Sequence, residues 1–155
     1  MLLRDFNASE IADFVALTKD RDYAVRFIEL MPMAVCAEWD QYLNAEAVLK
    51  AVPELQRIDS DGVAERYRVA GYRGSVGLIR PISHRFCADC NRIRITADGK
   101  LKPCLHSRSE IPLRGLHGEE LREAILEGIA AKPERHFLRE KGVSDCRRNM
   151  NEIGG

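Results

Sequence analysis

The sequence predicts an α/β fold in two parts. A strand–helix–strand unit reads as the end of a larger α/β domain, and an α+β domain organised around a cysteine-bearing hairpin follows it. Three observations lead there. Residues 1–32 pass from an apolar strand end to a helical stripe and then to an alternating strand, the pattern of a βαβ crossover. The segment "RIRITADGKLKPCL", residues 92–105, is a hairpin with a glycine turn. The segment "GEELREAILEGIAAKP", residues 118–133, is an amphipathic helix. One βαβ unit is too little to close a sheet. Two domains are therefore expected, 1–35 and 36–155.

The elements follow in order. "MLLR" is a short strand end. Asn7 is placed to cap a helix with Glu10 as its reciprocal partner, and Ile11, Phe14, Val15 and Thr18 mark the inward face. "RDYAVRFIEL" alternates at Tyr23, Val25 and Phe27 until Pro32 ends it. Asn44 caps a helix over 45–51, with Val48, Leu49 and Val52 inward and Pro53 as its stop. "ERYRVAGYRGSVGLIRPI" reads as two strands joined at "GYRG". In the helix over 118–133, Leu121, Ala124, Ile125, Gly128 and Ile129 share a face; Glu119 and Glu120 suit its N-terminus, and Pro133 limits it. The tail, "GVSDCRRNMNEIGG", has no clear period, and there are no internal repeats.

Composition narrows the function classes. The 24 Lys and Arg balance 24 Asp and Glu, so no overall charge recruits nucleic acid, and anion binding must come from a local cluster. The first ten residues are too polar for a signal peptide, and no apolar run approaches a membrane span. Five cysteines, an odd number without a secretory signal, favour reduced thiols or metal ligands in the cytoplasm.

Three of those cysteines lie close together as Cys87-x2-Cys90-x13-Cys104. The hairpin between the second and third has a register that can be argued. A two-residue turn at Asp98-Gly99 would pair Ile95 with Lys102 and mix apolar and charged side chains on each face. A three-residue loop, Ala97-Asp98-Gly99 with Gly99 left-handed, pairs Ile95 with Leu101, Arg94 with Lys102 and Arg92 with Cys104. Ile93, Ile95, Leu101 and Pro103 then share one face, and Arg92, Arg94, Lys102 and Cys104 the other. Forked guanidinium groups beside a cysteine suit phosphate or purine acceptors.

Spacing alone leaves three readings open. One is a structural zinc site of three cysteines with His106, His84 being a second donor, which would make an interaction module. Another is an iron–sulfur cluster with three thiolates and one open iron. The last is thiols without metal. Cys36 and Cys146 read as ordinary thiols, and His117 and His136 as surface residues near helix ends. The Gly154-Gly155 end also fits a frayed terminus, or an activated terminus like that of ubiquitin-type sulfur carriers, although those are shorter β-grasp domains.

"FCADCNRIRITADGKLKPCL" (86–105), "VRFIELMP" (25–32) and "NMNEIGG" (149–155), in that order, resemble the C-terminal half of the GTP 3′,8-cyclase family. These are radical S-adenosylmethionine enzymes of molybdenum cofactor biosynthesis. The resemblance covers essentially the whole chain and is weakest over 33–60. It implies the end of an incomplete TIM-type (β/α) barrel followed by a C-terminal domain with a second [4Fe–4S] cluster. Cys87, Cys90 and Cys104 would hold that cluster, its open iron facing GTP. Arg92, Arg94 and the Ile93 backbone would contact GTP. Arg26 would help hold the triphosphate and Met31 would lie against S-adenosylmethionine. Gly154 and Gly155 would reach into the active site. One departure stands out: no CxxxCxxC motif occurs in this sequence. The resemblance therefore implies that radical generation needs an N-terminal half, in cis or in trans, and that this chain alone is not catalytically competent. A homodimer is compatible with it; nucleic acid and membrane partners are not expected.

Overall fold

Burial of two separate sets of apolar side chains divides the chain into two compact units. The computed structural model describes residues 1–33, 39–138 and 142–153. The first unit holds the described residues of 1–31 and 38–90, the second those of 32–37 and 91 onward. This division differs from the expected boundary after residue 35, because the strand near the N-terminus pairs with strands far along the chain.

In the first unit, helix α1 (Arg4–Asn7) and helix α2 (Ile11–Ala16) are joined by a 3₁₀ turn, Ala8–Glu10. Asn7 does not cap a helix as expected. Its side chain closes on the preceding turn, accepting from the Leu3 N–H (3.0 Å) and donating to the Met1 carbonyl (2.9 Å). The inward face is as the periodicity predicts: Ile11, Val15 and Thr18 are buried, while Phe14 stays partly exposed with its ring edge-on to Phe27. Strand β1 (Ala24–Ile28) follows. The "MLLR" strand end is reduced to two isolated bridges, Leu2 parallel to Glu29 and Leu3 antiparallel to Tyr42, with the Leu2 N–H on the Ile28 carbonyl at 2.8 Å. Helix α3 (Glu46–Ala51) begins where the Asn44 side chain accepts from the Glu46 N–H at 2.8 Å.

Strands β2 (Leu55–Asp61), β3 (Ala64–Val69) and β4 (Ser75–Ile79) complete a four-stranded sheet ordered β1-β4-β3-β2. β3 runs antiparallel to both β2 and β4, as the "GYRG" connection requires. β1 and β4 are parallel over Ala24–Ile28 and Ser75–Ile79. Strand β2 was not read from the sequence; the Asp61-Gly62 pair, with Gly62 at φ 58°, is the turn signal that announces it. The sheet is therefore mixed, with one parallel pair among the described strands. Close approach explains Gly74, where a Cβ would collide with the carbonyls of Arg21 and Tyr23. Leu2, Val15, Phe27, Val48, Tyr67 and Leu78 centre the core of this unit.

The second unit carries a three-stranded sheet, β5 (Arg94–Ile95), β6 (Lys100–Lys102) and β7 (Ile111–Pro112), in that order and antiparallel throughout. Helix α4 (Gly118–Ala130) packs on it so closely that a Cβ at Gly128 would strike Leu101 Cδ2. Ile129, assigned inward by periodicity, is 47% exposed, because the contact face centres on Gly128 rather than on the edge of the stripe. The tail ends in a 3₁₀ turn, Met150–Glu152, and buries Cys146 and Ile153 against Met33, with Leu105 packed alongside. Among the described residues no helix is long and apolar enough to cross a membrane.

Candidate functional site

Cys87 and Cys90 belong to the first unit. They sit on a 3₁₀ turn, Cys87–Asp89, closed by the Cys90 N–H on the Cys87 carbonyl at 3.2 Å. Three residues per turn bring positions i and i+3 to the same side, which is why a two-residue spacer suits paired thiols. Both side chains are half-buried, and neither cysteine is in a disulfide.

The chain entering this turn is held by Glu29. Its carboxyl group is fully buried and accepts from the N–H groups of Ala45 (3.2 Å), Ile82 (3.1 Å) and Ser83 (2.9 Å), and from the Ser83 hydroxyl. Beside it, Arg80 donates to both oxygens of Glu65 at 2.6 Å, and the Tyr67 hydroxyl adds a third bond at 3.0 Å. Burial pushes the Glu65 carboxyl up, but the bonds from Arg80 and Tyr67 overcome it and hold the pKa below the ordinary value. Sequence reasoning missed these groups. The available signal was a charged residue, Glu29, inside the apolar run "FIELMP".

The second unit carries Cys104 and the arginines. The ladder pairs Arg94 with Lys102 and Ile95 with Leu101, and Gly99 adopts φ 78°, so the three-residue loop holds as read. Burial does not follow the two expected faces. Leu101 is fully buried but its partner Ile95 is 56% exposed, and Ile93 is exposed as well. Lys102, placed with the arginines by alternation, is only 1% exposed. Its Nζ donates to the Ser107 carbonyl at 2.6 Å and lies 3.8 Å from Glu110. Lys102 thus secures the loop after Cys104 and is not part of an open cationic face. Arg92 is exposed and Arg94 half-buried.

Cys104, half-buried with a free thiol, lines a cavity of about 460 Å³ together with His106, Arg108, His136 and Ser144. His106 Nδ1 lies 3.1 Å from the Ser144 hydroxyl, and its ring meets His136 edge-on at 5.0 Å between centroids. Burial, then the neighbouring His136, lower its pKa to about 3, so the ring is neutral. His136, expected at the surface, is buried with its ring against His106; His117 is exposed, as read. Cys146 is a buried free thiol, and Cys36 lies outside the described residues.

The remaining expected residues are placed as follows. Arg26, on β1, pairs with Asp61 at 2.7 Å, both side chains about half exposed. Met31 is half-buried three residues beyond β1. Gly154 and Gly155 lie outside the described residues.

Neither unit, among its described residues, groups three or more His, Cys, Asp or Glu side chains as a metal site. The zinc reading with His106 is without support, since that ring is engaged by Ser144 and His136. His84 is exposed, 4.0 Å from Glu65. The donor chemistry fits an iron–sulfur cluster: three unbridged, half-buried thiols, which as thiolates are its standard ligands.

Residues 23–138 match the family model described as Molybdenum Cofactor Synthesis C. The chain is 47% identical to a GTP 3′,8-cyclase of Peptoclostridium acidaminophilum, over 100% of this chain and 50% of that protein. It is 41% identical to one of Alkaliphilus oremlandii over 97% of this chain and 49% of that protein, and 43% identical to one of Alkaliphilus metalliredigens over 100% and 51%. The chain spans about half the length of these curated relatives.

Proposed function

The chain belongs to the Molybdenum Cofactor Synthesis C family, and on that premise we propose that it is the C-terminal half of a GTP 3′,8-cyclase acting in molybdenum cofactor biosynthesis. Its substrate is GTP and its product the 3′,8-cyclised dihydroguanosine triphosphate. The observation that carries this reading is sequence identity above 40% to three cyclases along essentially the whole chain. Cys87, Cys90 and Cys104 hold a [4Fe–4S] cluster. When bound, the cluster supplies a Lewis-acidic iron without a protein ligand, open to the nucleotide. Arg92 and Arg94 donate forked hydrogen bonds to GTP, with the Ile93 backbone beside them. Arg26 exchanges its pairing with Asp61 for the triphosphate. Met31 lies against S-adenosylmethionine, and Gly154 and Gly155 complete the active site. The strand–helix–strand unit within residues 1–35 is the end of the partial barrel, and the cysteines, Arg92 and Arg94 all lie within 36–155. An N-terminal half with the first cluster completes the enzyme, in the cytoplasm.

Anaerobic reconstitution with iron and sulfide tests this reading. Cys104→Ser is expected to lose most bound iron and visible absorption, and His106→Gln to keep both. Arg92→Ala and Arg94→Ala are each expected to keep the iron and weaken GTP binding by about 1.5–3 kcal/mol, roughly ten- to a hundredfold. Iron unaffected by Cys104→Ser, or GTP affinity unaffected by both arginine variants, overturns the assignment.

A further inference from the structure

The β5–β6 ladder stops at Arg94 and Lys102, two residues short of Arg92 and Cys104. A continuing antiparallel ladder would have set those two residues opposite each other. At that point Lys132 takes over. Its Nζ donates to the Arg92 carbonyl at 2.6 Å and approaches the Pro103 carbonyl at 3.5 Å. The two carbonyls belong to opposite arms of the cysteine hairpin. Two carbonyls cannot bond each other, because both only accept. An ammonium, with three donors and no acceptor, satisfies both.

The position of Lys132 is itself fixed. It follows α4, with its N–H on the Ile129 carbonyl at 3.2 Å, and Pro133 ends the run. It lies two residues past the end of α4, just beyond Gly128, the point where the helix meets Leu101. The helix seats on the hairpin through Gly128, and the turn that follows it reaches the hairpin's open end through Lys132.

We propose that Lys132 is a positioning residue that sets the separation between the arm bearing Arg92 and the arm bearing Cys104. The inference rests on the reading of those arms as the nucleotide and cluster site. Removing the ammonium leaves the Arg94–Lys102 pairing and the Gly128–Leu101 contact in place. The arms respond, and the fold does not.

The test is a double-mutant cycle on the full chain, reconstituted anaerobically, with GTP as the probe. Lys132→Met keeps the stem and removes the donors. It is expected to weaken GTP binding about tenfold, with iron content and melting midpoint unchanged. Adding Lys132→Met to Arg92→Ala is expected to cost no more than about a further twofold, since the two act as one unit. In the metal-free chain, hydrogen exchange is expected to quicken over 91–94 and 103–107 and not over 118–130. Wild-type affinity in Lys132→Met, or losses that multiply in the double variant, overturns the inference. So does loss of iron or of melting midpoint in step with affinity, which marks a merely structural lysine. If Arg92→Ala weakens GTP and Lys132→Met does not, only this inference fails. If the parent chain gives no GTP binding that Arg92→Ala alters, the site reading fails and takes the inference with it.

Discussion

Arg148 brings together two carboxylates from separate stretches of the second unit. Its Nε and Nη2 reach Glu110 at 2.6 and 2.8 Å, and Nη2 reaches Asp98 at 2.9 Å. The bond from Arg148, then one from Thr96, holds Asp98 well below the usual carboxylate range, and Arg148 lowers Glu110 as well. Groups depressed on folding stabilise above their unfolded pKa values, near 4, and lose that contribution as pH falls through the lower folded values. Arg148→Ala is therefore expected to lower the urea midpoint at pH 7. It should also flatten the decline of that midpoint below about pH 4, because the folded and unfolded pKa values then converge. Parallel pH profiles for the variant and the parent would refute the linkage. None of this could be read from the sequence. Arg148 is one of two adjacent arginines in a tail without period, and 38 and 50 residues separate it from its partners. The cysteine spacing, by contrast, is local and was legible.

At the level of elements, the hairpin register was legible because turn chemistry and alternation agree: Asp98-Gly99 supplies the left-handed position, and only one register separates the faces. What covers each face was not legible. Alternation places Lys102 with the arginines, yet Ser107 and Glu110, brought in by the chain running to β7, enclose it. Two-residue strands such as β5 and β7 carry too few positions to show a period. The α4 stripe was legible as a stripe, while its point of closest contact came from the tertiary fit of Leu101 against Gly128. Gly128→Val is expected to cost about 1–3 kcal/mol by overpacking, read as a lower denaturant midpoint. Leu101→Ala in the same chain should return part of that loss, and a purely additive double variant would count against direct contact.

For the molecule as a whole, local patterns showed that a strand–helix–strand unit begins the chain, but not where its last strand would pair. The parallel partner of β1 is β4, beyond two intervening strands, and that pairing moves the division of the chain away from residue 35. The same long-range closure gives Glu29 a kinetic meaning. Its carboxyl group joins β1 to the start of α3, 16 residues away, and to the exit of β4, 53 residues away. Those bonds form only when all three stretches have arrived, so they belong after the folding barrier rather than in the nucleus. Glu29→Gln keeps the shape but turns donors toward N–H groups that need an acceptor, a loss of about 1–3 kcal/mol. Nearly all of it should appear as faster unfolding, about fivefold to a hundredfold, with the refolding rate scarcely changed. Stopped-flow chevrons would show one limb displaced and the other in place, and equal displacement of both would put Glu29 in the nucleus instead. A buried acceptor of this kind acts as a latch: it does little to bring the chain together and much to set how long the folded state lasts.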